Sequence, residues 1–182
     1  MPIVLVFLIS LFMQGYESQP YEVVASFEEL EIRYYPSVKM VQTESNVASN
    51  QNFNRLFRYI SGANKNSQKI AMTTPVHMQS DNGKQRMAFV LPASFNKNPP
   101  LPASQEIQIV SSKAGYFAAI RFGGYSNRER VSHYTKLLRQ YLQKHQIESI
   151  DGPIFLSYNS PYKFFNRRNE IIIEVAYQNP KK

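Results

Sequence analysis

The chain contains no cysteine and no tryptophan in its 182 residues. Without cysteine it has no disulfide, no thiolate nucleophile and no Cys-ligated zinc, and it is indifferent to the redox state of its compartment. Glycine is scarce at seven residues, and the catalytic patterns that depend on glycine are missing. There is no Gly-x-Ser-x-Gly elbow, no P-loop and no Gly-x-Gly-x-x-Gly, and Gly123-Gly124 alone does not make a phosphate cradle. His-Glu-x-x-His is also missing, and acidic pairs such as Glu28 and Glu29 fall in turns without a partner acid or base. These absences point away from an enzyme and toward non-catalytic binding.

Acidic residues are in the minority, 13 against 21 Lys and Arg, for a formal net charge of +8. Such a surface favours anions, whether nucleic acid, anionic lipid or an acidic small ligand. Apolar residues make up 43% of the chain, with 12 Tyr and 12 Phe. That is enough for one good core, in a chain of a length between one and two domains. Residues 1–20 form a separate object. Pro2 to Met13 is an almost unbroken apolar run, the length of a signal-peptide core and short of the roughly 20 residues that span a bilayer. The first Lys or Arg is Arg33, so a basic n-region is missing, and no small-x-small cleavage site precedes Tyr21. The expectation is export to the periplasm or outside, with no stable membrane span after removal. An uncleaved interfacial anchor or a misplaced start are the alternatives, and the last leaves the protein cytoplasmic.

From Tyr21 onward the chain repeats one arrangement: two strand-like runs, an amphipathic helix, then two more strand-like runs. The repeats cover about 21–91 and 106–177, joined by a proline-rich connector over 92–105. In the first, Leu30-Glu31-Ile32-Arg33-Tyr34 alternates with the period of a half-buried strand. Phe53, Leu56, Phe57 and Ile60 recur at helical spacing, and Gly62 is the expected C-cap. Asp81-Asn82-Gly83 reads as a hairpin turn. In the second, Ser126-Asn127-Arg128-Glu129 reads as a capping box with Ser126 as N-cap. Val131, Tyr134, Leu138, Tyr141 and Leu142 form the apolar side of the helix that follows. The expected fold is α+β: eight strands curled into a distorted antiparallel barrel from two pseudo-symmetric ββαββ repeats, with two flanking helices and a shared groove.

Four stretches carry a family resemblance. Lys69-Ile70-Ala71-Met72-Thr73-Thr74-Pro75-Val76 is followed by Met87-Ala88-Phe89-Val90-Leu91-Pro92, then Phe122-Gly123-Gly124-Tyr125. Tyr158-Asn159-Ser160-Pro161 leading to Arg167-Arg168-Asn169-Glu170 completes the set. Their order and spacing from about Tyr21 to Val175 resemble the SOUL haem-binding family, in an exported, bacterial form. The resemblance implies a distorted antiparallel barrel of two repeats, similar to effector-binding domains of some bacterial regulators. It also implies reversible binding of haem or a related tetrapyrrole by a monomer, with no reaction common to the members.

Haem is a broad apolar disc with two carboxylates on one edge, so a shallow site needs an aromatic platform and a cation at its rim. The resemblance carries the outward face of the first helix over to Asn50, Phe53 and Phe57, with Leu56 and Ile60 toward the barrel. It carries the basic residue before the final strand over to Lys163, a propionate partner. Taken singly, Phe53 and Phe57 also read as core and Lys163 as a solvated lysine. A histidine that some members carry in the second strand is matched by Tyr34, an ordinary barrel tyrosine or a phenolate ligand. His133 and His145 lie on the second helix, and His77 reads as a structural strand histidine. Weak, non-covalent, largely hydrophobic haem binding with no strong axial ligand is therefore expected. Another amphipathic anion in the same groove is the alternative. Tyr162-Lys163-Phe164-Phe165-Asn166-Arg167-Arg168 mixes aromatics and cations as single-strand nucleic-acid sites do. No RNA-binding pattern accompanies it, and Arg167 and Arg168 also suit a turn-fixing role beside Glu170 or Glu174, so a nucleic-acid partner is not expected.

Overall fold

The computed structural model describes residues 16–46 and 51–178. The apolar run Pro2–Met13 and the candidate Asn50 lie outside the described residues. Eleven strands and two α-helices follow in the order β1 (Glu17–Ser18), β2 (Glu22–Ser26), β3 (Glu31–Tyr35), β4 (Lys39–Ser45), α1 (Gln51–Ile60), β5 (Thr73–Thr74), β6 (Val76–Asp81), β7 (Lys84–Val90), β8 (Ile107–Ser111), β9 (Gly115–Phe122), α2 (Arg128–Lys144), β10 (Glu148–Ser157) and β11 (Asn169–Ala176).

Nine strands form one antiparallel sheet in the order β2-β3-β9-β11-β10-β6-β7-β4-β8, while β1 and β5 pair separately. From β3 to β8 this order is symmetric about the β10–β6 junction. Each half has a strand pair (β10–β11 or β6–β7), then an inner strand (β9 or β4), then a first strand taken from the other half (β3 or β8). The duplicated pattern of the sequence thus becomes a pseudo-two-fold arrangement, with β2 as the one strand beyond the eight expected. The expected closed barrel is not what forms. β2 and β8 are both free edges, because no ladder joins them among the described residues. The sheet curls without closing, since Tyr35 of β3 and Val110 of β8 line the same cavity.

Side-chain alternation fixes which face each helix covers. Cross-strand partners share a face, so the chain of pairs Val41↔Phe89↔Val76 on one side and Met78↔Phe155↔Ile171↔Ile120 on the other belongs to one surface, Val76 and Met78 being two residues apart on β6. Val41 and Phe89 pack with Leu56, Tyr59 and Ile60 of α1; Ile120, Ile171 and Ile173 pack with Leu138 and Leu142 of α2. Both helices therefore sit on the same, convex face. The ends of α2 show why it forms where it does. Asn127, one residue after the expected Ser126, is the N-cap, its side chain accepting from Arg130 N at 2.8 Å. Asn and Ser serve this position about equally well, so the pattern was one residue ambiguous. Gly62, at φ +114°, ends α1 in the conformation that only glycine adopts without strain. Asn82 and Gly83, both at positive φ, make the two-residue turn between Asp81 and Lys84.

The concave face holds charges. Glu170 is fully buried there, and Arg33 donates to both its carboxylate oxygens at 2.8 and 3.2 Å. Tyr158 Oη donates at 2.8 Å and Arg168 Nε at 3.0 Å to the same carboxylate. Burial alone would raise the Glu170 pKa, but Arg33, Arg168 and Tyr158 outweigh it and hold the carboxyl below its ordinary value. Its proton is then taken up first by the unfolded chain, so stability present above the ordinary carboxylate range, about 4.3, falls as pH drops below it. Glu170→Gln should lower unfolding stability in urea by about 3 kcal/mol or more, because Arg33 stays buried with only the part-exposed Glu31 as counter-charge. It should also flatten the acid limb of the stability profile.

Candidate functional site

A cavity inside the curl and a strip of the convex face are the two candidate places for a ligand. The first lies inside the curl, a cavity of about 250 Å³ lined by Met40, Ala88, Phe117, Ile154 and Ile172 with Gln42, His77 and Glu174 among its polar groups. It falls below the roughly 300–1,000 Å³ of ordinary small-molecule sites and is too small for a four-ring macrocycle. His77 points here, its Nε2 2.7 Å from Gln19 Oε1, and burial lowers its pKa to about 4. It is a neutral structural histidine on the concave face, as its strand position implied. At the same level Lys113 pairs with Glu174 at 2.7 Å.

The strip lies on the convex face. α1 packs on β4 and β7, and α2 on β9, β10 and β11, so a strip of sheet along the symmetry axis is left between the helices. Val76 and Met78 of β6, Met87 of β7 and Phe155 of β10 floor it, all half-buried. Val76 and Met87 touch the α1 cluster and Phe155 the α2 cluster, while Met78 belongs to neither.

Phe53 and Phe57 stand on the α1 flank. Their rings stack at 5.9 Å between centroids with 13° between planes, and Phe53 also meets Phe89 edge-on at 5.4 Å. Phe57 is 49% exposed and Phe53 is half-buried, whereas Leu56 and Ile60 are buried against the sheet. Leu56 and Ile60 face the sheet as expected, whereas Phe53 also packs against the core cluster and Phe57 is the more exposed ring of the pair. Buried Asn52 fastens the start of α1 to β7 by donating to Gln85 O at 3.0 Å, a role with no signal in the sequence. Arg55 pairs with Glu106 at 2.7 Å on another side of the helix.

Lys163 lies in the loop between β10 and β11. That loop leaves the sheet at the end of the strip, since Ser157, the last residue of β10, pairs with Val76. Its frame is rigid. Arg167 donates to the carbonyls of Ser160 and Lys163 and stacks over Tyr125 at 4.4 Å, and Asn159 Oδ1 accepts from Arg168 N at 2.6 Å. Arg167 and Arg168 thus fix the turn, with Arg168 paired to Glu170. Tyr34 is not brought to this site. On β3 it meets Tyr116 of β9 in a tilted ring contact, with β9, β11, β10 and β6 between it and β7. His133 packs edge-on with Tyr134, and His145 lies 3.3 Å from Glu29. Among the described residues no cluster of three or more His, Asp or Glu could hold a metal, and no helix is long and apolar enough to cross a membrane.

Residues 16–174 match the family model described as SOUL heme-binding protein. The chain belongs to the SOUL haem-binding family. Heme-binding protein 1 of Xenopus laevis is 30% identical, over 80% of this chain and 82% of that protein. Human heme-binding protein 2 is 27% identical, over 78% of this chain and 75% of that protein. Solved structures share the fold at low identity. The EcmrR C-terminal domain matches with a TM-score of 0.60 at 13% identity, covering 87% of this chain and 99% of that one. A structure described as a hydrolase from Listeria innocua matches with a TM-score of 0.56 at 9% identity, covering 84% and 94%. At such identities these last two speak for the fold alone. For this SOUL protein, family and relatives support haem or tetrapyrrole binding in general terms.

The neutral His77 has a pH consequence. Its folded pKa lies below the ordinary 6.5, so the unfolded chain binds the proton first, and stability falls as pH drops from about 6.5 to about 4 before levelling. The loss should be at most about 3 kcal/mol, from 1.36 kcal/mol per unit. Equilibrium unfolding at several pH values should show this slope in the wild type and its removal in His77→Gln.

Proposed function

We propose that this SOUL-family protein binds haem or a related tetrapyrrole, without catalysis, on the convex strip beside α1. The observation that carries the reading is the stacked, outward Phe53–Phe57 pair at the edge of an uncovered apolar floor. The macrocycle lies against the Phe57 face and over Met78, so burial of the disc supplies most of the affinity. Lys163, at the end of the strip, meets a propionate as a charge-assisted partner. Asn50, next to the start of α1, stays with this site as part of the outward face that the family resemblance implies.

His77 lines the cavity inside the curl and His145 pairs with Glu29, and in the proposed site iron meets no more than the thioether of Met78 or Met87 from the protein side. Binding is then non-covalent and reversible, which suits a carrier or buffer of the ligand more than a redox centre. The relatives named for haem binding support the ligand, and the stacked Phe53–Phe57 pair supports the outer strip. Binding of a different amphipathic anion on the same strip would use the same residues.

Titration of ferric haem should give a saturable Soret shift at one-to-one stoichiometry, larger than that from an unrelated basic protein. Phe53→Ala with Phe57→Ala should weaken binding by roughly 30-fold or more, consistent with about 2 kcal/mol of lost apolar contact. Lys163→Glu should weaken haem more than a porphyrin lacking propionates, and His77→Ala should change neither. Loss of binding on His77→Ala, or none on the double Phe change, would overturn the site. A panel of porphyrins and bile pigments then orders the ligand class.

A further inference from the structure

The β10–β11 loop presents the most exposed large apolar side chains among the described residues. Tyr162 is 88% exposed, Phe164 76% and Phe165 70%, with Tyr125 at 54% beside them. Rings of this size are normally buried or partnered, and a cluster of them at one tip marks a contact surface. The loop's backbone is held by side chains other than these rings. The Arg167 guanidinium holds the Ser160 and Lys163 carbonyls, and Arg168 N bonds to Asn159. The aromatics therefore project from a rigid base. Lys163 stands among them with no carboxylate partner among the described residues.

A second observation points the same way. The root of this loop touches the N-terminal stretch: Arg168 Nη2 donates to Tyr21 Oη at 3.0 Å, and β1 runs beside Thr73 and Thr74, next to the end of β6 that pairs with Ser157. The chain enters the described fold at Tyr16, five residues before Tyr21 and within about 17 Å of it along the chain. The apolar run Pro2–Met13 is thus joined to the same end of the sheet that carries the aromatic loop. The hairpin turn at Asn82 lies at the opposite end of β6.

We propose that this loop is a membrane-surface contact, with Tyr162, Phe164 and Phe165 seated at the headgroup level of an anionic phospholipid bilayer and Lys163 facing lipid phosphates. Tyrosine and phenylalanine suit that boundary because their apolar rings enter the acyl edge, and a tyrosine hydroxyl stays with water. The net charge of +8 adds long-range attraction to an anionic leaflet. The contact is peripheral, through a loop, and is separate from the haem reading: it predicts lipid binding with no tetrapyrrole present.

Because the chain has no cysteine, a lone introduced thiol reports one position. Tyr162→Cys and Asn82→Cys, each in the full chain and labelled with the polarity-sensitive dye NBD, are mixed with vesicles of phosphatidylcholine containing 30% phosphatidylglycerol. The label at 162 should brighten at least twofold and shift to the blue, and the label at 82 should stay unchanged. Adding Phe164→Ser and Phe165→Ser should reduce the response at 162 at least fivefold, and Lys163→Glu should reduce it severalfold in anionic but not neutral vesicles. Near-ultraviolet circular dichroism checks that these exposed changes leave the fold intact. Vesicle co-sedimentation with no response at 162 would assign membrane binding to the N-terminal run alone and overturn the proposal. Equal responses at 82 and 162, or a response at 162 to a single-stranded oligonucleotide and not to vesicles, would overturn it as well.

Discussion

The buried pair of Arg33 and Glu170 is the interaction on which the arrangement rests. An unpaired carboxylate at full burial is too costly to persist, so every group around it must arrive together. Arg33 comes from β3, Tyr158 from the end of β10, Arg168 from the loop into β11, and Tyr21, beneath Arg33 at 4.3 Å, from the N-terminal stretch. These elements are far apart in sequence, and the ladders alone would leave β2 and β8 as free edges. Charge inside the curl ties β3 and the N-terminal stretch to β11 and the loop before it. Lys113 and Glu174 act similarly near the other end of β11, linking the β8–β9 turn to the sheet.

The concave face carries this network and a small cavity, and the proposed ligand site lies on the convex face. The pseudo-two-fold order sets the two helices apart on that face, each over its own half, and the strip between them is the place neither half covers. The proposed site and its rim follow from position. α1 contributes aromatic rings because its inner face is already spent on Leu56, Tyr59 and Ile60. The β10–β11 loop contributes the cation and the projecting aromatics because its backbone is held by arginines rather than by its own apolar residues.

Much of this was legible in the residues. Strand alternation in Leu30–Tyr34, the helical spacing of Phe53, Leu56, Phe57 and Ile60, and the turn at Asn82-Gly83 are local signals, and each led to the right element. The duplication was visible because both halves repeat the same order of periods. Closure was not legible, since hydrogen bonding between first and last strands depends on curvature and leaves no local mark. The exchange of first strands between halves was equally hidden, because strand order is a long-range property. Tyr34 shows the limit of residue-by-residue carry-over: its place in β3 was right, but four strands separate it from α1. Asn52 gave no warning of its buried anchoring role because an asparagine at a helix start reads as a cap. The pairing of Arg168 with Glu170 was readable, being only two residues apart, whereas that of Arg33 was not.

One strand carries an implication for how the chain rejects wrong folds. In β11 the side chains alternate between an acid-bearing row, Glu170, Ile172 and Glu174, and an all-apolar row, Ile171, Ile173 and Val175, and every one of the six is buried. Sliding this strand by a single position would drive both acids under α2 and leave the cations that face them, Arg33 and Arg168 at one site and Lys113 at the other, opposite apolar side chains. The misaligned ladder would keep its backbone bonds yet lose both rows at once. Alignment of the central ladder is thereby decided by an all-or-nothing exchange of oil for charge.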